Sequence, residues 1–450
     1  MARPFALPIT ITAIAITAIA PSALQAQSPA DSGLMSYIAG IKAIDNHAHP
    51  LLPPVPGGAP DTDYDALPLG AIPAFPLPTG LRGDNPANIA AWRALYGYQY
   101  TDTSAAHVKT LMDLKAGVAH ERGDRAAEWA LDQMGTDVML ANRVSMGRGL
   151  GPPRFRWVAF VDALLLPLNT AREAAATPDT RPLYPREERL LRRYLTALSQ
   201  SSLPPTLGGY VSGVVTPTLE RMKHEGAVAV KFEAAYLRPL DFGNPPEPAA
   251  AAVYARYVHG GLPTHAEYRT LQDYLFRTVA REAGRLGLAV HIHCMYLAGG
   301  FYRVSGSRPL QLEDVFNDST LRHTTFVLLH GGWPFVGETL AMIGKPNVYA
   351  DFSLMTGVLS PHTLSGVLRE WLEEYPEKVL YGSDAFADHN DDPVGWADEG
   401  WVSAQNGRRA LAIALTGMMR DGDITRERAE EIARMVLRTN AATLYGIGTP

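Results

Sequence analysis

The chain has 450 residues, a formal net charge of −6 and a hydrophobic fraction of 46%. That balance supports a large core, and with no long basic run it argues against nucleic acid as a partner. The lone cysteine, Cys294, excludes an internal disulfide framework and is read as a packing residue.

The first element in chain order is a leader. Arg3 precedes an apolar run from about Phe5 to Ala20, the turn Pro21-Ser22 follows, and small Ala26 stands before Gln27. This pattern reads as a secretory signal peptide over residues 1–26. The mature chain, 27–450, is then expected in the periplasm or outside the cell. No later stretch has the ~20 apolar residues of a membrane helix, so no membrane span is expected after cleavage.

Eight short apolar runs follow, at 41–47, 136–144, 156–164, 227–236, 286–294, 324–332, 346–354 and 377–385. They are rich in Val, Leu and Ile and nearly continuous, which suits parallel strands buried on both faces. Helical spacing is clear at 263–286, at 360–376 behind a Ser cap, and at 425–447 behind a Thr cap. Eight strands alternating with helices give an α/β fold, the (β/α)8 TIM barrel. "SMGRGLGPPRFR", between the second and third strands, leaves no room for a helix. Residues 50–135 form a loop and helical insertion after strand 1, expected to cover the barrel mouth; a separate small domain is the alternative.

Barrel active sites are built at the C-terminal ends of the strands. There the sequence places His47 and His49 on the first strand, Lys231 and Glu233 on the fourth, His291 and His293 on the fifth, His330 on the sixth and Asp384 on the eighth. Imidazole with carboxylate suits a catalytic Zn²⁺ or a similar divalent ion. Residues i and i+2 of a strand face one way, so His47 and His49 can reach one ion. Tyr236 and Arg238 follow the fourth strand and are candidates to bind substrate, Arg238 by pairing a carboxylate; Trp333 is read as lining the pocket or packing.

The stretches "NHAHP", "VKFEAAY", "VHIHC", "LLHGGWPF", "LYGSDA" and the closing "NAATLYGI" resemble the amidohydrolase superfamily, in its amidohydrolase-related branch. Within it they look closest to the domains fused to glutamine-synthetase-like proteins. The resemblance covers 40–50 and most of 205–450. It implies that His47, His49, His293 (in preference to His291) and Asp384 bind metal. It also implies that Asp384 moves a proton and that His330 binds a second metal or polarises the scissile group. Lys231, if carbamylated, would bridge two ions, with Glu233 a rival bridge. The expected activity is that of an exported hydrolase cleaving an amide, other C–N, ester or lactone bond of a small molecule by metal-activated water. A metal-dependent decarboxylase is the alternative reading and a non-catalytic binding protein a third. The expected metal is zinc; whether one ion or two are bound, and whether the chain forms a homo-oligomer, stay open.

Overall fold

The apolar runs pair in the order in which they occur. In the computed structural model, which describes residues 30–55, 58–387, 392 and 394–448, eight parallel strands neighbour one another from β1 to β8. They are β1 (Ala43–Ala48), β2 (Thr136–Arg143), β3 (Phe155–Phe160), β4 (Ala227–Phe232), β5 (Ala289–His293), β6 (Phe326–Leu329), β7 (Val348–Asp351) and β8 (Val379–Leu380). The expected leader, 1–26, lies outside the described residues. Among the described residues, no helix is long and apolar enough to cross a membrane.

β8 is shorter than its apolar run, yet the barrel closes beyond it. Asn46 N–H donates to Tyr381 O at 2.9 Å, Asp384 N–H to His47 O at 2.7 Å and His49 N–H to Ala385 O at 2.7 Å. Strand regularity is lost there because Asp384 adopts a positive φ of 54°, a conformation that Asp tolerates better than most side chains. This is the expected (β/α)8 barrel. The connection between β2 and β3 carries no helix, in keeping with its Gly and Pro content.

One face of each strand fills the barrel. Ile44, Val138, Leu140, Val158, Ala229, Ala289, Val327, Leu329 and Leu380 form one cluster, continuous with Ala441 and Ala442 of the C-terminal helix and with Ile447 just beyond it. The opposite faces pack on the surrounding helices. The helix His265–Arg285 starts with a reciprocal cap between Thr264 and Glu267. Thr425 caps the final helical run, which is not one regular helix: a wider turn at Met435–Thr439 separates Arg426–Arg434 from Asn440–Tyr445. The wider turn faces the residue just past β8, where Tyr381 N–H donates to the carbonyl of Val436 at 3.1 Å.

After β1 the chain forms a long loop and the helices Pro86–Tyr96, Ala105–Arg122 and Ala126–Met134. A buried polar node ties them to the helix Trp396–Asp421. Asp398 accepts from Trp92 Nε1 at 2.8 Å and Tyr96 Oη at 2.5 Å, and pairs with Lys115 at 2.6 Å. Further back in this segment, Phe75 and Leu81 pack on Met295, Leu297 and Leu354, which follow β5 and β7.

Candidate metal centre

β1 delivers its two imidazoles through an irregularity. Between Asp45 and Ala48 it holds one residue more than the facing stretch Met139–Ala141 of β2, a bulge that re-aims the side chains. Asp45 turns to the 381–385 loop, accepting from Ser383 N–H at 2.9 Å and Ser383 Oγ at 2.5 Å. Asn46 donates to Asp351 at 2.8 Å. His47 and His49 both turn to Asp384, their Nε2 atoms 3.0 Å and 3.5 Å from its Oδ1. One ligand atom from each of these three buried residues lies within 4.8 Å of the others.

The other ring positions are set by neighbours. The amide nitrogen Nδ2 of Asn142, on β2, faces Nδ1 of His47, while its Oδ1 is buried without a partner. Turning this amide over would pair Oδ1 with Nδ1–H and leave the lone pair of His47 Nε2 turned to Asp384. His330 sits just past β6 with φ of 60°. Its backbone N–H donates to Asp351 at 2.8 Å, and its Nδ1 is 2.9 Å from Ser353 Oγ, which itself donates to Asp351 at 2.7 Å. Because that hydroxyl proton is committed, Nδ1 of His330 is the donor and Nε2 the lone-pair side. His293 donates from Nε2 to Met295 O at 3.0 Å, which leaves Nδ1 buried without a partner. Its ring lies 4.7 Å from that of His330 and 4.5 Å from that of Tyr236. His291 points elsewhere, meeting Tyr445 Oη at 2.7 Å.

Burial keeps these rings neutral. It pushes the pKa of His47, His293 and His330 well below the usual value, and that of His49 to about 4. Neutral imidazole is the ligating form. Burial also raises Asp384 to about 6, against the opposing pull of His49 and Lys231. A buried carboxylate beside neutral imidazoles with free lone pairs is a donor set that fits a divalent ion.

Lys231 is fully buried, with Nζ 3.3 Å from His47 Nε2 and 3.5 Å from Glu233 Oε1. Strand β4 has ended by then, and Glu233 begins the turn Ala234–Tyr236. Tyr236 lies beside the centre. Trp333 packs with Met295, Leu354 and Phe386 in the apolar wall after β5, β7 and β8. Arg238 is placed differently from the sequence-based expectation. It is buried, pairs with Asp273 at 2.8 Å, donates to Gln272 at 3.0 Å and stacks on Phe242. Its charge is therefore already committed, and it is not a free clamp for a substrate carboxylate. Cys294 is buried in the core, as a packing residue should be.

Several groups around the centre carried no recognised signal. Asp351 and Ser353 end the seventh apolar run, so the strand-end criterion that selected Asp384 would have found them. Asp65 could not be found this way, because it comes from the loop after β1; its Oδ2 lies 3.5 Å from His49 Nδ1. Beside Asp65 opens a cavity of about 440 Å³, lined also by Asp63, Val144, Arg186, Arg189 and Arg193.

Gly331 explains the tight turn after His330. Its φ is 55°, and an added Cβ would lie 2.4 Å from the Trp371 ring and 2.8 Å from Met355 Sδ. Gly331→Ala is therefore expected to cost about 1–3 kcal/mol and to displace His330, readable as a lowered unfolding midpoint.

The family model for amidohydrolases matches residues 209–447, more than half of the chain, and the chain belongs to that family. The match supports a metal-dependent enzyme. Protein fluG of Emericella nidulans is 30% identical over 142 residues, 31% of this chain but 15% of fluG, so the chain spans a small part of that relative's length. Among solved structures, a Lactobacillus casei protein assigned as a metal-dependent hydrolase is 15% identical, with a TM-score of 0.59 over 92% of this chain and 97% of that one. The uronate isomerase of Thermotoga maritima is 14% identical, with a TM-score of 0.53 over 92% and 96% of the two chains. The glucuronate isomerase of Caulobacter crescentus is 12% identical, with a TM-score of 0.52 over 93% and 94%. At these identities the likeness extends to the fold alone.

Proposed function

We propose that the chain is an exported hydrolase that cleaves an amide, other C–N, ester or lactone bond of a small molecule at a zinc-type centre formed by His47, His49 and Asp384. The observation that carries this reading is the convergence of three ligand atoms from opposite ends of the sheet within 4.8 Å. A divalent ion held there supplies Lewis acidity and lowers the pKa of water. Asp384 accepts the proton of the attacking water and returns it to the leaving group. His293 keeps its lone pair on Nδ1 and His330 on Nε2, with the two rings 4.7 Å apart. In that tautomer they hold a second cation or accept a proton, and an oxyanion-donating role for His330 would need a protonation that burial opposes. Lys231, with Nζ 3.3 Å from His47 Nε2, is the residue that would bridge two ions if carbamylated. Tyr236 and the Trp333 wall bound the substrate, and the segment after β1 covers the mouth. Export rests on the apolar run and Ala26 near the N-terminus.

The test is metal content with product analysis. Purified protein is expected to carry about one or two divalent ions per chain and to lose turnover on chelation, with recovery on adding zinc. Substrates that hydrolyse should release an acid with an amine or an alcohol. Chelator-indifferent protein would remove the metal reading, and release of CO₂ in place of such a pair would replace hydrolysis by decarboxylation.

A further inference from the structure

Beyond His49 lies a second group of carboxyls that the proposed chemistry does not use. Asp65 and Glu233 meet there, Asp162 is held to the Glu233 backbone and Glu187 is near enough to repel Asp162, Asp65 and Glu233; they come from the loop after β1, the turn after β4, the turn after β3 and the helix Tyr184–Ala197. Their satisfaction is incomplete. Asp162 accepts from Glu233 N–H at 2.8 Å and Asp65 from Leu67 N–H at 2.9 Å. Both side-chain oxygens of Glu187, Oδ1 of Asp162, Oε2 of Glu233 and Nδ1 of His49 are buried without a hydrogen-bond partner. Glu187 is 0%, Asp162 1% and Glu233 2% exposed. Unpaired buried carboxylates are costly, so the group either retains protons or takes up a cation. Burial, reinforced by the mutual repulsion of the carboxyls, pushes Glu187 and Glu233 well above the usual range.

We propose that Asp65 and Glu233, with Nδ1 of His49, form a second divalent-cation site, separate from the His47–His49–Asp384 group and backed by Asp162 and Glu187. One ligand atom from each of His49, Asp65 and Glu233 lies within 4.8 Å of the others. The cations acting on the cluster are Lys231 and, at its rim, Arg186. Fully ionised, the four carboxylates exceed these two by two charges, which one divalent ion balances. Asp65 also lines the cavity of about 440 Å³. Two carboxylates and one imidazole form a harder donor set than the first group, so Mn²⁺ suits it better. His49 would be shared between the two groups, its Nε2 3.5 Å from Asp384 and its Nδ1 3.5 Å from Asp65. The site rests on the first group only through this shared ring.

The experiment uses the full chain, stripped with chelator, reloaded with Zn²⁺ and titrated with Mn²⁺ under electron paramagnetic resonance. Wild type is expected to retain one Mn²⁺ beside its zinc. Glu233→Gln and Asp65→Asn should weaken Mn²⁺ binding about tenfold or more, with zinc retained. Glu187→Gln should weaken it less, and circular dichroism reports whether each variant is folded. Zinc-loaded wild type that takes up no Mn²⁺, or variants that bind it as wild type does, would overturn the second site and leave the proposed function standing. Loss of zinc uptake with Mn²⁺ binding still sensitive to Asp65 and Glu233 would do the reverse.

Discussion

Asp384→Asn is expected to lower kcat by about 10²–10⁴-fold while leaving the fold intact. An amide cannot accept the proton that a carboxylate accepts, and it removes one anionic ligand atom from the pair His47–His49. The fold should survive because Asn is as tolerant of a positive φ as Asp, and the backbone bond from residue 384 to His47 O, at 2.7 Å, involves no side chain. Asp384→Ala would be a poorer test, since Ala at φ of 54° adds backbone strain to the lost chemistry. Steady-state rates on an ester and amide panel, with circular dichroism as the fold control, check this. Turnover within a few-fold of wild type would reject Asp384 as the proton carrier.

Lys231→Met is expected to be the most damaging single change for stability, at about 3–5 kcal/mol, the usual cost of removing one partner from a buried charged pair. Lys231 is fully buried between His47 and Glu233, and Asp65 and Asp162 also feel its charge. Its loss leaves the acidic cluster without its inner cation. Adding Glu233→Gln to Lys231→Met should recover much of that loss, because the orphaned carboxylate goes with it. Chemical denaturation of both single variants and the double variant closes the cycle. A double variant as unstable as the sum of the singles would show that the two groups act independently. Activity of Lys231→Ala adds a second readout: restoration by a small carboxylic acid would replace the reading of a cationic lysine by that of a carbamate at this position, and a lysine that stays a cation would not respond.

The strand-end criterion worked where local pattern and chemistry coincide. His47, His49, His330 and Asp384 each follow an apolar run closely, so hydrophobic periodicity alone sets their place at one rim of the barrel. Arg238 met the same criterion and has a different setting, because its partners Gln272 and Asp273 belong to a helix more than thirty residues further on. A guanidinium near a strand end looks the same in sequence whether it is free or paired.

What the sequence by itself determined is the order of eight parallel strands and the rim that carries the chemistry, since burial on both faces writes itself into continuous apolar runs. Only the tertiary structure decided how the rings are used. The bulge in β1 that turns both imidazoles inward depends on pairing with β2, and the tautomer of His330 depends on Ser353 and Asp351. The approach of Asp65 and Glu187 to His49 and Glu233 depends on a loop and a helix whose sequences carry no periodic signal for it. Such contacts join residues far apart in the chain. Their energies come from geometry and desolvation at the meeting point, which no local pattern records.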